Sequence, residues 1–232
     1  MCTAKKLVAT WLMLAFMLLA AGCGSEGGED SPTDPSDGGN AAAGNSAAAP
    51  APPAEPSDSL HPVVVISTSM GDVTVQLDAE KAGITVDNFL RYVDAGHYDG
   101  TIFHEVHPGH VIIGGAYTAD LVEKKTDGPI FNEARQGRNN LRGTIAMARK
   151  PDVIDSATCH FFINVQDHPN LDYKSDKSPE EYGYCVFGEV VDGMDVVDRV
   201  AAVEVHDTSD FERIPVDVEN VSIRSIRRAS QQ

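Results

Sequence analysis

The chain has 232 residues and a formal charge of −17, from 35 acidic against 18 basic side chains. With that balance it has no basic patch to hold a nucleic-acid backbone, and it is repelled by anionic surfaces. The length allows one large domain or two small ones, and the two ends reduce it to one.

Lys5 and Lys6 precede a 15-residue apolar run, Leu7–Ala21, and then Gly22-Cys23. The run is short for a membrane-spanning helix, so 1–22 reads as a secretory signal rather than a transmembrane anchor or a buried helix. Leu18-Leu-Ala-Ala-Gly-Cys23 resembles a bacterial lipobox, which implies cleavage before Cys23 and lipidation of that residue. More than one acyl chain anchors stably where a single chain is marginal. The chain is therefore expected outside the cytoplasm, tethered to a bacterial membrane.

Residues 24–59 contain only Gly, Ser, Ala, Pro, Asn, Thr, Asp and Glu. Such a composition cannot bury a core, so 23–60 is expected to be a disordered spacer. Its root-mean-square reach is roughly 30–36 Å. The folded domain is placed at 61–228, with a tail at 229–232. Cys159 and Cys185 both fall in it, 26 residues apart. They either pair, if their strands are neighbours, or stay as two buried thiols.

Val63–Ser67 and Val73–Leu77 alternate apolar and polar around Ser69-Met-Gly-Asp72, the pattern of a β-hairpin. Ala79–Ala95 has helical spacing, with Val86, Phe89, Leu90 and Val93 on one face and Gly96 at its end. A second hairpin follows, with strands at 101–106 and 110–113 about a Pro108-Gly109 turn. Residues 117–142 are polar and predict a long surface excursion. Gly143–Ala148, Phe161–Val165 and Tyr184–Val191 predict buried strands, and Met194–Val203 a second amphipathic helix. Val216–Ile226 alternates as a last strand, after which 227–232 should fray. Many strands and two helices fit an antiparallel sheet closed into a barrel, with helices covering its ends.

Several of these segments also carry a likeness. Thr85-Val-Asp-Asn-Phe-Leu90, Tyr98-Asp-Gly-Thr-Ile-Phe-His104 and Gly114-Gly115 resemble the first half of a cyclophilin-type peptidyl-prolyl isomerase. Asn132-Glu-Ala, Gly143-Thr-Ile-Ala-Met-Ala148, Asp155-Ser-Ala-Thr, Phe161-Phe-Ile-Asn164, Leu171-Asp172 and Val186-Phe-Gly188 continue it in order. The resemblance implies a mainly β fold: a closed eight-stranded antiparallel β-barrel capped by two α-helices. It implies catalysis at X-Pro peptide bonds without a cofactor. The expected partners are proline-containing segments of exported proteins, met by a monomer on its lipid tether.

Residue by residue, the likeness is incomplete at its centre. His104 matches the family histidine, but Glu105 stands where the catalytic arginine belongs. Ile113 replaces the glutamine that orients that arginine, His110 a pocket phenylalanine, Val111 a methionine and His160 a glutamine. Phe162 keeps the phenylalanine that floors the proline pocket, and Leu171 is retained. Ala148 also lines the pocket, Asn170 occupies a position that is often aromatic, and Tyr184 one that is His or Tyr. Arg149, beside Ala148, is a candidate substitute donor. His104 serves either the scaffold or the site. Glu105, His110 and His160 together also offer zinc-ligand chemistry with an open position; solvated rim residues are the alternative.

Overall fold

The computed structural model describes residues 59–229. The signal sequence, Cys23 and most of the spacer lie outside the described residues.

Alternation sets the first hairpin. β1 (Val63–Thr68) and β2 (Gly71–Leu77) bury every second residue, so Val64, Ile66, Val73, Val75 and Leu77 enter the core. Gly71 turns the chain at φ +133°, where a side chain is strained. α1 (Gly83–Asp94) then packs Val86, Phe89 and Val93 inward. It begins four residues later than its apolar spacing predicts, because Asp78 accepts from the Lys81 amide at 3.1 Å and holds 78–82 as a turn. Ala82 at the helix start has no capping side chain. Glu133, 48 residues on from Thr85, caps the helix instead. Its carboxylate accepts from the Ile84 and Thr85 amides at 3.2 and 2.8 Å, and from the Thr85 hydroxyl at 2.7 Å. Such a cap is worth about 1 kcal/mol.

The remaining barrel strands are β3 (Thr101–His107), β4 (Val111–Thr118), β5 (Thr144–Met147), β6 (Phe161–Asn164), β7 (Val186–Asp192) and β10 (Ser222–Arg228). Their order around the closed barrel is β1-β10-β3-β4-β6-β5-β7-β2, with antiparallel neighbours throughout. The eight-stranded barrel expected from the resemblance is therefore the observed fold. Phe89 meets Tyr98, Phe161 and Phe187 at ring distances of 5.2, 5.8 and 5.1 Å, tying α1 to the core. α3 (Met194–Ala201) packs Val196, Val197 and Val200 onto the barrel.

Three elements differ from expectation. A third, one-turn helix, α2 (Pro179–Tyr182), starts on a Ser178 cap. A two-residue ribbon pairs β8 (Val205–His206) with β9 (Ile214–Pro215). The last strand runs over Ser222–Arg228 rather than Val216–Ile226, because Asp217 caps a 3-10 turn at Val218–Val221. Arg227 and Arg228 consequently do not fray. Arg227 pairs with Val65 in the ladder, and the two guanidiniums grip Asp99 and Asp94. Cys159 and Cys185 are free, buried thiols, each pushed up to about 12 by burial.

Candidate functional site

The hairpin β3–β4 owes its shape to two shifts of register, before and after Phe103, and to two glycines. Phe103 pairs with Gly114, and Glu105 with Ile113. Two residues on β3 thus advance against one on β4, so Phe103 and Glu105 point to opposite faces of the sheet. Phe103 fills the barrel. A Cβ on Gly114 would sit 2.9 Å from that ring, and one on Gly115 (φ +95°) 2.9 Å from both Phe161 and Tyr98. Glycine at 114 and 115 lets three rings close the core behind the hairpin.

Outside the barrel, the pairings build a row. Glu105 faces Ile113, Ile113 faces Phe162, Phe162 faces Ala146, and Ala146 faces Val186. Directly paired residues share one face, so a single carboxylate heads an apolar stripe across β3, β4, β6, β5 and β7. Val111, Ala148, Leu171 and Tyr184 pack against Ala146, Phe162 and Val186 as a second apolar cluster, separate from the barrel core. The Tyr184 ring meets Phe162 edge-on at 5.7 Å. Leu171 is held there because its carbonyl accepts from the Tyr184 amide at 2.9 Å and from the Asn140 side chain at 3.1 Å. The result is a continuous aromatic and aliphatic wall. Ala146 and Val186 complete it without having been singled out in the sequence. Each lies two residues from one that was, Ala148 and Tyr184, which is the spacing that marks a shared strand face.

Glu105 keeps 19% of its side chain exposed and bonds His107, two residues along the same face, at 2.5 Å. An ionised carboxylate accepts hydrogen bonds and has none to donate. At the site's head, therefore, stands an acceptor.

Arg149, the candidate substitute donor, turns away to the neighbouring loops. It is 4% exposed, and its guanidinium donates to four carbonyls: Gly183 at 3.0 Å, Lys150 at 3.0 Å, Pro151 at 2.9 Å and Pro179 at 2.5 Å. Its outer surface lies under the Tyr184 ring at 4.6 Å. Proximity to Ala148 in sequence suggested the groove; the loop carbonyls claim every nitrogen instead.

The zinc arrangement is also corrected. Glu105 is joined to His107, His110 stacks on His168 at 5.2 Å, and His160 lies 3.7 Å from Glu123. Each of the three has its own partner, and they do not gather around a common point. Among the described residues the one group with converging ligand atoms is His61, Asp78 and Glu80, around the start of β1 and the end of β2. Asn170 lies exposed in the turn before Leu171.

His104 sits at the second of those shifts, 5% exposed, with Tyr117 at 4.7 Å and His160 at 5.6 Å edge-on. Burial, and to a lesser degree His160, lowers it from 6.5 to about 3, so the ring is neutral. The unfolded chain takes up this proton near 6.5 and the folded chain does not. Stability contributed here is complete above that pH and declines as pH falls toward 3, by up to about 1.4 kcal/mol per unit. His104→Phe is expected to flatten that slope in urea unfolding measured between pH 7 and 4. An unchanged slope would place the proton elsewhere.

The residues matched, the barrel and the groove all lead to one family. A family model described as cyclophilin type peptidyl-prolyl cis-trans isomerase/CLD matches residues 63–226. The chain is 44% identical over 152 residues to peptidyl-prolyl cis-trans isomerase A of Dickeya dadantii, covering 66% of this chain and 77% of that one. It is 44% identical over 164 residues to peptidyl-prolyl cis-trans isomerase B of Escherichia coli K12, covering 71% and 98%. A solved cyclophilin type isomerase from Cryptosporidium parvum superposes with a TM-score of 0.56 at 23% identity, over 74% of this chain and 99% of that one, which speaks for the fold. This chain belongs to the cyclophilin-type peptidyl-prolyl cis-trans isomerases, a family of enzymes.

Proposed function

We propose that this isomerase works slowly, outside the cytoplasm, on X-Pro segments of exported proteins, and that a lipid on Cys23 holds it to the membrane. The observation that carries the reduced rate is Glu105 at the head of the apolar row, closed onto His107.

The physical reason lies in the reaction. An X-Pro amide turns over a barrier of about 18–20 kcal/mol because its C–N bond is partly double. As conjugation breaks, the nitrogen lone pair localises and can accept a hydrogen bond. A donor placed there acts mostly in the transition state, so it raises the rate rather than the affinity. The family assigns that donation to an arginine; a carboxylate cannot give it and repels the developing lone pair. Loss of one such donor costs roughly 10²–10³ in rate. What remains is the apolar wall, which removes the amide from water and still favours rotation modestly.

A coupled-protease assay on an X-Pro peptide tests this. The full chain is expected to turn over roughly 10²–10³ more slowly than a cyclophilin that carries the arginine. Equal rates would refute the reading. Binding without any turnover above solvent would favour a second one, a non-catalytic proline-peptide or chaperone-like module, to which the fully engaged Arg149 also points.

A further inference from the structure

Along β3 the groove has an acidic edge, built by two separate parts of the chain. Glu105 is the first. The second is the 207–213 loop, which runs beside β3 because the Val106 amide donates to the Arg213 carbonyl at 3.0 Å. Asp207 accepts from the Arg213 amide at 2.9 Å and closes the loop, while Phe211 sets its ring edge-on to Tyr117 at 5.0 Å. Glu212 is thereby carried to the neighbourhood of Glu105. Slight desolvation, then Glu105 and then Asp207, holds the exposed Glu212 carboxyl above its ordinary range, while His107 and Arg213 oppose the shift. Those two are the cationic partners on this edge, and His107 is charged only when protonated. The floor next to them, Ile113, Phe162 and Ala146, is apolar.

Given that the groove binds proline segments, as proposed above, we infer that Glu105 sets its specificity: the site takes X-Pro segments with a lysine or arginine beside the proline. The proline ring goes to Phe162. The neighbouring cation meets Glu105, with Glu212 and Asp207 behind it, and the aliphatic stem of a lysine or arginine lies along Ile113. An acidic neighbour brings a fourth carboxylate to the same edge and is rejected, so discrimination comes from both attraction and repulsion. Partly exposed pairs of this kind change affinity by roughly two- to five-fold, and salt weakens them.

The test uses the full chain in mild detergent and three capped peptides, acetyl-Ala-Xaa-Pro-Ala-amide with Xaa lysine, norleucine or glutamate. Titration calorimetry at low salt is expected to rank them in that order. Lysine should bind roughly ten-fold tighter than glutamate, and the gap should narrow at high salt. Glu105→Gln should bring lysine and norleucine together, and an unchanged circular dichroism spectrum reports that the variant is folded. Equal binding of all three peptides overturns the specificity and leaves the groove standing. A lysine preference that survives in Glu105→Gln also overturns it, since another residue would then select. Failure of all three to bind removes the proline-binding reading itself, and the specificity with it.

Discussion

The double variant Glu105→Arg with Ile113→Gln is expected to raise turnover of an X-Pro peptide by roughly 10²–10³. The two positions are directly opposed across β3 and β4, and Ile113 in turn faces Phe162. A guanidinium at 105 would therefore point along the row toward Phe162, the ring proposed to receive proline, and an amide at 113 would stand beside it. Arginine alone should gain less. The acidic loop lies close by, and Glu212 would compete for the new cation. The gain should appear in kcat with KM little changed, because a donor to the proline nitrogen acts in the transition state. A double variant that binds peptide as before yet turns over no faster would mean that the site lacks more than its donor.

Arg149→Met is expected to cost stability rather than chemistry. One buried guanidinium joins four carbonyls drawn from two segments, 150–151 and 179–183. Removing it leaves the Pro151 and Pro179 carbonyls without this donor and weakens the hold on those of Lys150 and Gly183, at roughly 2–4 kcal/mol in total. The damage should not stop there. Gly183, whose carbonyl also accepts from Asn132 at 3.2 Å, lies so close to the 171–173 segment that a Cβ would come within 2.5 Å of the Leu171 carbonyl. Loosening 179–183 would therefore free Leu171 and Tyr184, and with them one wall of the groove. Urea unfolding should show the loss as a lower midpoint. Turnover per folded molecule at saturating peptide should stay within about two-fold, since no transition-state donor has been removed. A collapse of kcat in a stable variant would restore Arg149 as a donor.

The barrel and its groove floor were legible because they rest on short-range signals. Alternation in Val63–Leu77 sets the first hairpin, and the ring-packed glycines at 114 and 115 fix the second. Phe162, Val111 and Ile113 share the groove face by strand parity, whereas Leu171, outside any strand, was placed by the resemblance. What was not legible depends on partners distant in sequence. Arg227 and Arg228 look like a solvated tail until Asp94 and Asp99, more than 120 residues earlier, are seen to hold them. The last strand was misplaced because Val216, Val218 and Val221 look like its start, whereas Asp217 captures the Glu219 amide and turns that stretch into a 3-10 helix. The late start of α1 joins a local cause, the turn held by Asp78, to a distant one, the cap from Glu133. Nothing local marks Glu212 as a neighbour of the groove, because the backbone bond between Val106 and Arg213 that brings it there has no side-chain signature.

Glu105 thus gives the site two properties at once. As proposed, it withholds the donor that the reaction needs and makes the groove attractive to cations. The most direct measurement takes both binding and turnover from one sample: two-dimensional exchange NMR of an X-Pro peptide titrated with the full chain. We expect peptide resonances to shift and saturate, while cis–trans exchange stays close to the uncatalysed timescale of roughly tens of seconds. Exchange cross-peaks at mixing times well below a second, at catalytic amounts of protein, would contradict the assignment of Glu105 as the residue that slows this enzyme.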